Sequence, residues 1–130
     1  MKLNLCLMAL SAKGLFGYSV TPNAMSWDDA QIWCVKNDKG GLAPPASDHI
    51  NDIASACTSS TCWVGLRRIQ PHAHEWVFND FASHTIPWAY KQPDDSGAGE
   101  SCAEVYTGGN QPRKLNDDTC HSRRFGVCAI

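Results

Sequence analysis

The chain has 130 residues, of which 43% are hydrophobic, and this suits one folded domain over residues 1–130 with a core of its own. Its formal net charge of −2 gives no electrostatic basis for a nucleic-acid or anionic-membrane partner, since both attract clustered Lys and Arg. No internal repeat, Ser/Gly linker or charge run divides the sequence, and nothing in it predicts membrane insertion.

Seven cysteines in so short a chain indicate an oxidising compartment and hence a secreted or extracellular protein. Cys6 stands apart in an apolar stretch that is typical of a short secretory signal peptide over residues 1–11. The alternation of Leu3, Leu5 and Leu7 with more polar residues equally fits an extra N-terminal strand, in which Cys6 would be free or joined to another chain. The sequence leaves both interpretations open.

The first half of the chain carries helix signals. A short strand is expected over residues 15–20, and Ser26 then caps a helix that the glycines at 40–41 end. Apolar residues recur on one face of this helix at three- and four-residue spacing: Trp27, Ala30, Trp33 and Cys34. A second helix is expected to start at Ser47, with one apolar face made of Ile50, Ile53, Ala54 and Cys57.

The second half is predicted to form short strands separated by turns. The strands are expected at residues 63–66, 75–78, 102–106 and 125–129. Residues 85–101 and 107–120 form two long polar loops with little that could build a core. Helices first and strands afterwards predict an α+β fold.

Five oxygen-bearing side chains lie in these two loops, close to cysteines. They are Gln92, Asp94, Glu100, Asn116 and Asp117. Calcium takes six to eight oxygen ligands in flexible geometry, so three carboxylates and two amides suit it better than zinc or copper. Because Asp, Asn and Gln are also common in ordinary loops, composition by itself leaves a plain solvated loop open.

A series of motifs follows in order from about Leu15 to the C-terminus. They are Ser26-Trp27-Asp28-Asp29-Ala30, Gly41-Leu42-Ala43, Trp63-Val64-Gly65-Leu66, Glu75-Trp76-Val77, Trp88, Gln92-Pro93-Asp94, Gly99-Glu100-Ser101-Cys102, Asn116-Asp117 and Phe125-Gly126-Val127-Cys128. Together they resemble a C-type lectin carbohydrate-recognition domain. The resemblance implies the C-type lectin fold, with two helices, short antiparallel strands and a long calcium-binding loop region.

The resemblance implies two disulfides, Cys34 with Cys128 and Cys102 with Cys120. The second would tie together the ends of the two loops that carry the oxygen side chains. A third disulfide, Cys57 with Cys62, is expected from the residues themselves, because the two cysteines flank a short loop in a chain with the cysteine content of a secreted protein.

The resemblance also places the family's sugar-binding calcium on the five residues Gln92, Asp94, Glu100, Asn116 and Asp117. Two neighbouring sugar hydroxyls would complete the coordination of the ion, while the same side chains bind those hydroxyls. Pro93 matches a cis proline of the family, and the family's Gln-Pro-Asp sequence goes with galactose and N-acetylgalactosamine. The resemblance therefore predicts a calcium-dependent binder of galactose- or N-acetylgalactosamine-containing glycans with no catalytic activity.

Two departures from the family pattern affect this prediction. Residues 95–99 lack the Trp that galactose-type members often place there to stack on the sugar. Three other rings offer themselves for stacking, namely Tyr106, His121 and Trp88, of which Trp88 matches a structural position. Acids needed for a second calcium are replaced by Arg67, Arg68 and His72, so we predict one ion. An arginine could fill the vacant position with its own charge, although a solvated side chain is the simpler expectation.

Two other functions remain to be compared. A C-type-lectin-like domain can also bind a protein or another non-sugar ligand, since a fold does not fix a function. An enzyme with Asp94 and Glu100 as an acid pair is disfavoured, because open polar loops are expected to lack the burial that raises a carboxyl pKa. A homodimer would increase avidity, but one chain does not decide the oligomeric state.

Overall fold

The computed structural model describes residues 17–37 and 39–130. Both interpretations of residues 1–11, and with them the state of Cys6, lie outside the described residues. The described part contains two helices, α1 (Trp27–Lys36) and α2 (Ile50–Ala56). Its strands are β1 (Tyr18–Val20), β2 (Thr61–Arg68), β3 (Trp76–Phe78), β4 (Cys102–Tyr106), β5 (Leu115–Asp118) and β6 (Phe125–Ala129). The predicted α+β class is confirmed.

The described strands form one sheet in the order β1-β6-β2-β4-β5. Strand β3 lies off this path and pairs with residues 66–68 at the C-terminal end of β2. The pairs β1/β6, β2/β3, β2/β4 and β4/β5 are antiparallel, as expected. Strands β2 and β6 run parallel through Cys62 and Trp63, a pairing that the sequence did not predict. Strand β2 therefore lies at the centre of the sheet and brings its C-terminal end towards the loops that follow β3.

Helix α1 begins as the sequence predicts. The Ser26 side chain accepts a hydrogen bond from the backbone N–H of Asp29 at 3.2 Å and so caps the helix. Trp27, Ala30 and Cys34 are buried, whereas Trp33 is only partly buried. The helix thus packs one face against the sheet.

Helix α2 begins three residues later than predicted, at Ile50 rather than Ser47. The Ser47 hydroxyl donates to the carbonyl oxygen of Thr85 at 3.0 Å instead of accepting from a helical N–H. His49 takes the N-cap position without a side-chain hydrogen bond. A competing tertiary contact therefore moved the start of the helix.

Residues 115–118 form strand β5, although the sequence analysis placed them in a long loop. Leu115 and Asp117 are buried and their neighbours are partly exposed, which is the alternation of a strand. The register pairs Asp117 with Ala103 of β4. The predicted loop ligands at 116 and 117 are therefore held on a regular strand.

The core lies on both sides of β2. Apolar residues of α2, β2, β4 and β6 pack on one side, and Trp27, Leu42 and Trp63 lie in a second cluster with α1. Disulfides join Cys34 to Cys128, Cys57 to Cys62 and Cys102 to Cys120, which confirms all three predicted pairs. Neither helix of the described ranges has the length and apolar character needed to cross a bilayer.

Candidate functional site

Three of the predicted ligands converge at one point beside the start of β4. Asp94, Glu100 and Asp117 each present a carboxylate oxygen, and these oxygens lie within 4.8 Å of one another. Asp94 is exposed, Glu100 is partly buried and Asp117 is fully buried. Pairing of β4 with β5 and the Cys102–Cys120 disulfide hold the strand of Asp117 next to the loop of the other two acids.

The loop over residues 92–100 is folded around its own carboxylates. Asp117 accepts the backbone N–H groups of Asp94 at 3.1 Å and Asp95 at 2.7 Å. Asp95 accepts the N–H of Glu100 at 2.8 Å, and Glu100 accepts that of Ser96 at 3.2 Å. These bonds wrap the loop backbone around the acids, so the carboxylates point inward.

Two backbone features shape the ends of this loop. A cis peptide bond joins Gln92 to Pro93, as the resemblance implied. Gly99 adopts φ of +123°, a conformation that residues with a Cβ rarely take, directly before Glu100. Both features lie immediately beside candidate ligands.

The side-chain oxygen Oε1 of Gln92 is buried and has no hydrogen-bond partner in the described part of the molecule. A buried polar atom without a partner costs free energy, and such atoms are rare in folded proteins. A cation or a ligand hydroxyl would satisfy this oxygen. The amide therefore fits the role of an oxygen ligand.

The side chain of Asn116 is held in place by a hydrogen bond from its amide nitrogen. Its Nδ2 donates to Glu104 at 2.9 Å, and the buried Glu104 also accepts from Arg124 at 3.1 Å. This contact leads towards β4 rather than towards the three acids. The Oδ1 atom is left as the oxygen with which Asn116 could bind a cation.

Arg68 also belongs to this site, which agrees with the alternative that an arginine brings its own charge to these acids. Its side chain is 3% exposed, and its guanidinium donates to Asp117 at 2.9 Å, so the expected solvated side chain is wrong for Arg68. The expectation holds for Arg67, which is exposed and lies 3.6 Å from Asp28. Both faces of β2 are buried before these two residues, so no alternation of hydrophobic and polar residues distinguishes Arg67 from Arg68.

The acids differ in how readily they ionise. Burial, followed by the hydrogen bond with Asp94, raises the pKa of Glu100 to about 7. The same hydrogen bond lowers the pKa of Asp94, with a further contribution from Asp117. The expectation that these loops lack the burial that raises a carboxyl pKa is therefore wrong for Glu100.

The donor set fits calcium by its chemistry. All candidate ligands offer oxygen, the three carboxylates converge, and the Gln92 oxygen lacks a partner. Zinc and copper favour nitrogen and sulfur ligands, and the cysteines near the site are tied up in a disulfide. A hard divalent ion held by oxygens is thus the metal that these residues suit.

The three rings expected to stack on a ligand lie in different surroundings. Trp88 is partly buried against the core with its ring 4.7 Å from that of Trp76, which is a structural role. Tyr106 lines a pocket of about 200 Å³ with residues 108–111. His121 is exposed beside Cys120.

Comparison with known proteins gives a consistent result. Residues 23–130 match the family model of the lectin C-type domain. A protein named "C-type lectin galactose-binding isoform" from Hoplocephalus stephensii is 31% identical over 128 residues, which cover 89% of this chain and 77% of that protein.

E-selectin from Sus scrofa is 26% identical over 131 residues, which cover 97% of this chain. The chain spans 27% of the length of that selectin. Among solved structures, the cow C-type carbohydrate-recognition domain of CD23 superimposes with a TM-score of 0.74 at 24% identity, over 85% of this chain and 84% of that chain. This last likeness shows that the two chains share a fold.

Proposed function

This chain belongs to the lectin C-type domain family, and from that premise we propose that it binds galactose or N-acetylgalactosamine groups of glycans through one calcium ion. The ion would be held by five residues: Gln92, Asp94, Glu100, Asn116 and Asp117. The observation that carries the proposal is the convergence of three carboxylates within 4.8 Å. The unpartnered, buried amide oxygen of Gln92, two residues before Asp94, adds to it.

The side chains would take part in sugar binding as well as in metal binding. A bound calcium ion supplies open coordination positions for two neighbouring sugar hydroxyls. The carboxylates of Asp94 and Glu100 would accept hydrogen bonds from those hydroxyls, and the amide nitrogen of Gln92 would donate one. Tyr106, at the pocket formed with residues 108–111, is our candidate for contact with the apolar face of the sugar.

The choice of galactose rests on two supports. The chain carries Gln92-Pro93-Asp94, and a relative that is 31% identical is named as galactose-binding. Binding without catalysis and a secreted or extracellular location are parts of the same proposal. The three disulfides support the location, because disulfides persist in oxidising compartments.

Retention on immobilised galactose tests the proposal. We expect the protein to bind in calcium, to elute with a chelator, and to bind less to immobilised mannose. Asp94→Asn should abolish retention, because it removes one carboxylate of the cluster. Asp80→Asn is the matched control, since Asp80 is exposed and contacts His84 outside the site. Retention that survives the chelator, or no retention at any calcium concentration, would contradict the proposal.

A second candidate function is the binding of a protein or another non-sugar ligand, and one contact favours it. Arg68 already neutralises Asp117, so part of the acidic cluster is satisfied without a divalent ion. The absence of an aromatic residue over 95–99 agrees with this alternative. Calcium binding without retention of any sugar on a glycan panel would favour it over the first proposal.

A further inference from the structure

All three nitrogens of the Arg68 guanidinium donate hydrogen bonds within the protein. It donates through Nε to the carbonyl oxygen of Glu100 at 2.7 Å, and through its two terminal nitrogens to the carbonyl of Ala73 and the carboxylate of Asp117. Its carbon Cζ lies 4.7 Å from the centre of the Trp76 ring. With 3% of its side chain exposed, Arg68 is a buried cation with partners on every side.

These partners connect Arg68 to the whole loop over residues 92–100. Glu100 closes the C-terminal end of the loop and bonds to Arg68 through its backbone. Asp117 bonds to Arg68 and at the same time accepts the backbone N–H groups of Asp94 and Asp95. One guanidinium therefore fixes the end of the loop directly and its beginning through a single carboxylate.

The charges around Arg68 explain why a cation is needed there. Asp117 is fully buried, and a buried carboxylate is stable only when it is paired and hydrogen-bonded. Asp95 brings a second carboxylate oxygen to 3.9 Å from the Nε atom of Arg68. Without a positive charge at this place, acids at the loop would repel one another.

We propose that Arg68 is a positioning residue that acts as a built-in cation and holds the loop over residues 92–100 in the same shape with or without a bound metal ion. Any metal ion at the acid cluster would then bind to a loop that is already ordered. This inference does not depend on the proposed sugar function, because Arg68 would order the loop before any metal ion or sugar binds.

Hydrogen exchange of single backbone amides tests the inference. The N–H groups of Asp94 and Asp95 are the reporters, since both donate to the carboxylate that Arg68 holds. The amide of Gly65, which donates to Ala43 in the core at 2.7 Å, reports on the global fold. In wild-type protein with a chelator, both reporters should be protected, and added calcium should change their protection by less than about tenfold.

Variants separate Arg68 from its neighbour. Arg68→Met keeps most of the length of the side chain without the charge, and we expect protection of the two reporters in chelator to fall by about a hundredfold or more. Arg67→Met, the matched control on the exposed neighbour, should leave both reporters unchanged. If the Gly65 amide shows that Arg68→Met is unfolded, Arg68→Lys replaces it, and a fall of at least about tenfold is expected because one ammonium cannot reach three partners.

Two results would overturn the inference. The first is a loop whose Asp94 and Asp95 amides exchange freely in the wild-type protein until calcium is added. The second is an Arg68 variant, with a protected Gly65 amide, whose reporters exchange as slowly as in the wild type. Failure of the protein to bind calcium or galactose would contradict the proposed function but leave this inference intact.

Discussion

Two consecutive arginines at the end of β2 lie in opposite environments. Arg67 and Asp28 form an exposed pair at 3.6 Å, whereas Arg68 and Asp117 form a buried pair at 2.9 Å. Exposed pairs contribute little because water and salt screen them. When a buried charge loses its partner, nothing offsets the free energy that its transfer out of water requires.

Substitution of the acids should show this difference directly. We expect Asp117→Asn to lower the free energy of unfolding by about 3–5 kcal/mol, because the Arg68 charge stays buried without its partner. Asp28→Asn should lower it by less than about 1 kcal/mol. Denaturant unfolding in chelator measures both. Equal losses in the two variants would mean that the buried pair does not stabilise the protein as described.

The raised pKa of Glu100 predicts that calcium binding depends on pH. Since the pKa of Glu100 is about 7 without a metal ion, calcium must displace a proton from Glu100 at acidic pH. The affinity for calcium should be about tenfold lower at pH 6 than at pH 8. Glu100→Gln should bind calcium more weakly and lose the pH dependence in this window, and a variant that keeps it would assign the titration to another group.

The same pKa affects the stability of the metal-free protein in the opposite direction. Folded Glu100 holds its proton more tightly than an unfolded Glu does, so its contribution stabilises the folded state at low pH. That contribution is complete below about pH 4.5 and is lost as the pH rises through about 7. Calcium and acid therefore compete for one carboxylate.

The candidate ligands could be predicted as residue types but not as a set of contacts. Three carboxylates in the right order point to a calcium site, and the structure brings them together. Neither the bond from Asn116 to Glu104 nor the burial of Arg68 could be read from spacing. Both depend on which side chains face each other across β2, β4 and β5, and this is a property of the folded sheet.

At the scale of elements, α1 and α2 show when a helix start can be predicted. The Ser26 side chain caps α1, whereas the Ser47 hydroxyl bonds to a carbonyl that is 38 residues away. Strand β5 was not predicted because three of its four residues are polar, including the buried Asp117. The pattern of hydrophobic residues therefore does not show the alternation of buried and partly exposed positions. Local signals predict an element only where tertiary contacts do not override them.

Replacing Ser26 or Ser47 by alanine should distinguish the helix cap from the tertiary hydrogen bond. Ser26→Ala removes the cap of α1 and is expected to lower the free energy of unfolding by about 1 kcal/mol. Ser47→Ala removes no helix cap, so it should lower the free energy of unfolding by less than half as much. Urea denaturation of the two variants provides the comparison. A larger loss for Ser47→Ala would mean that its bond to Thr85 contributes more than the cap.

At the scale of the whole molecule, the disulfides differ in how much chain they close. Cys34–Cys128 spans 94 residues and joins α1 to β6, whereas Cys57–Cys62 spans 5 residues between α2 and β2. A crosslink stabilises mainly by restricting the unfolded chain, and the effect grows with the length of the closed loop. The long disulfide therefore acts on the entire domain and the short one on a single connection.

Paired replacement by alanine should reproduce this order. Removal of Cys34–Cys128 is expected to cost about 4–5 kcal/mol and removal of Cys57–Cys62 about 2 kcal/mol in the free energy of unfolding. Guanidinium denaturation under non-reducing conditions measures both variants. A smaller loss from the long disulfide than from the short one would contradict the entropic account of their contributions.

The proposed calcium site is single and is built from acids of two segments that the fold brings together. Isothermal titration of the chelator-treated protein with calcium at pH 8 tests it most directly, with Asp94→Asn and the control Asp80→Asn measured beside the wild type. We predict one ion per chain for the wild type and for Asp80→Asn, and binding at least about tenfold weaker for Asp94→Asn. No calcium binding by the wild type, two ions per chain, or equal binding by Asp94→Asn would contradict the claim.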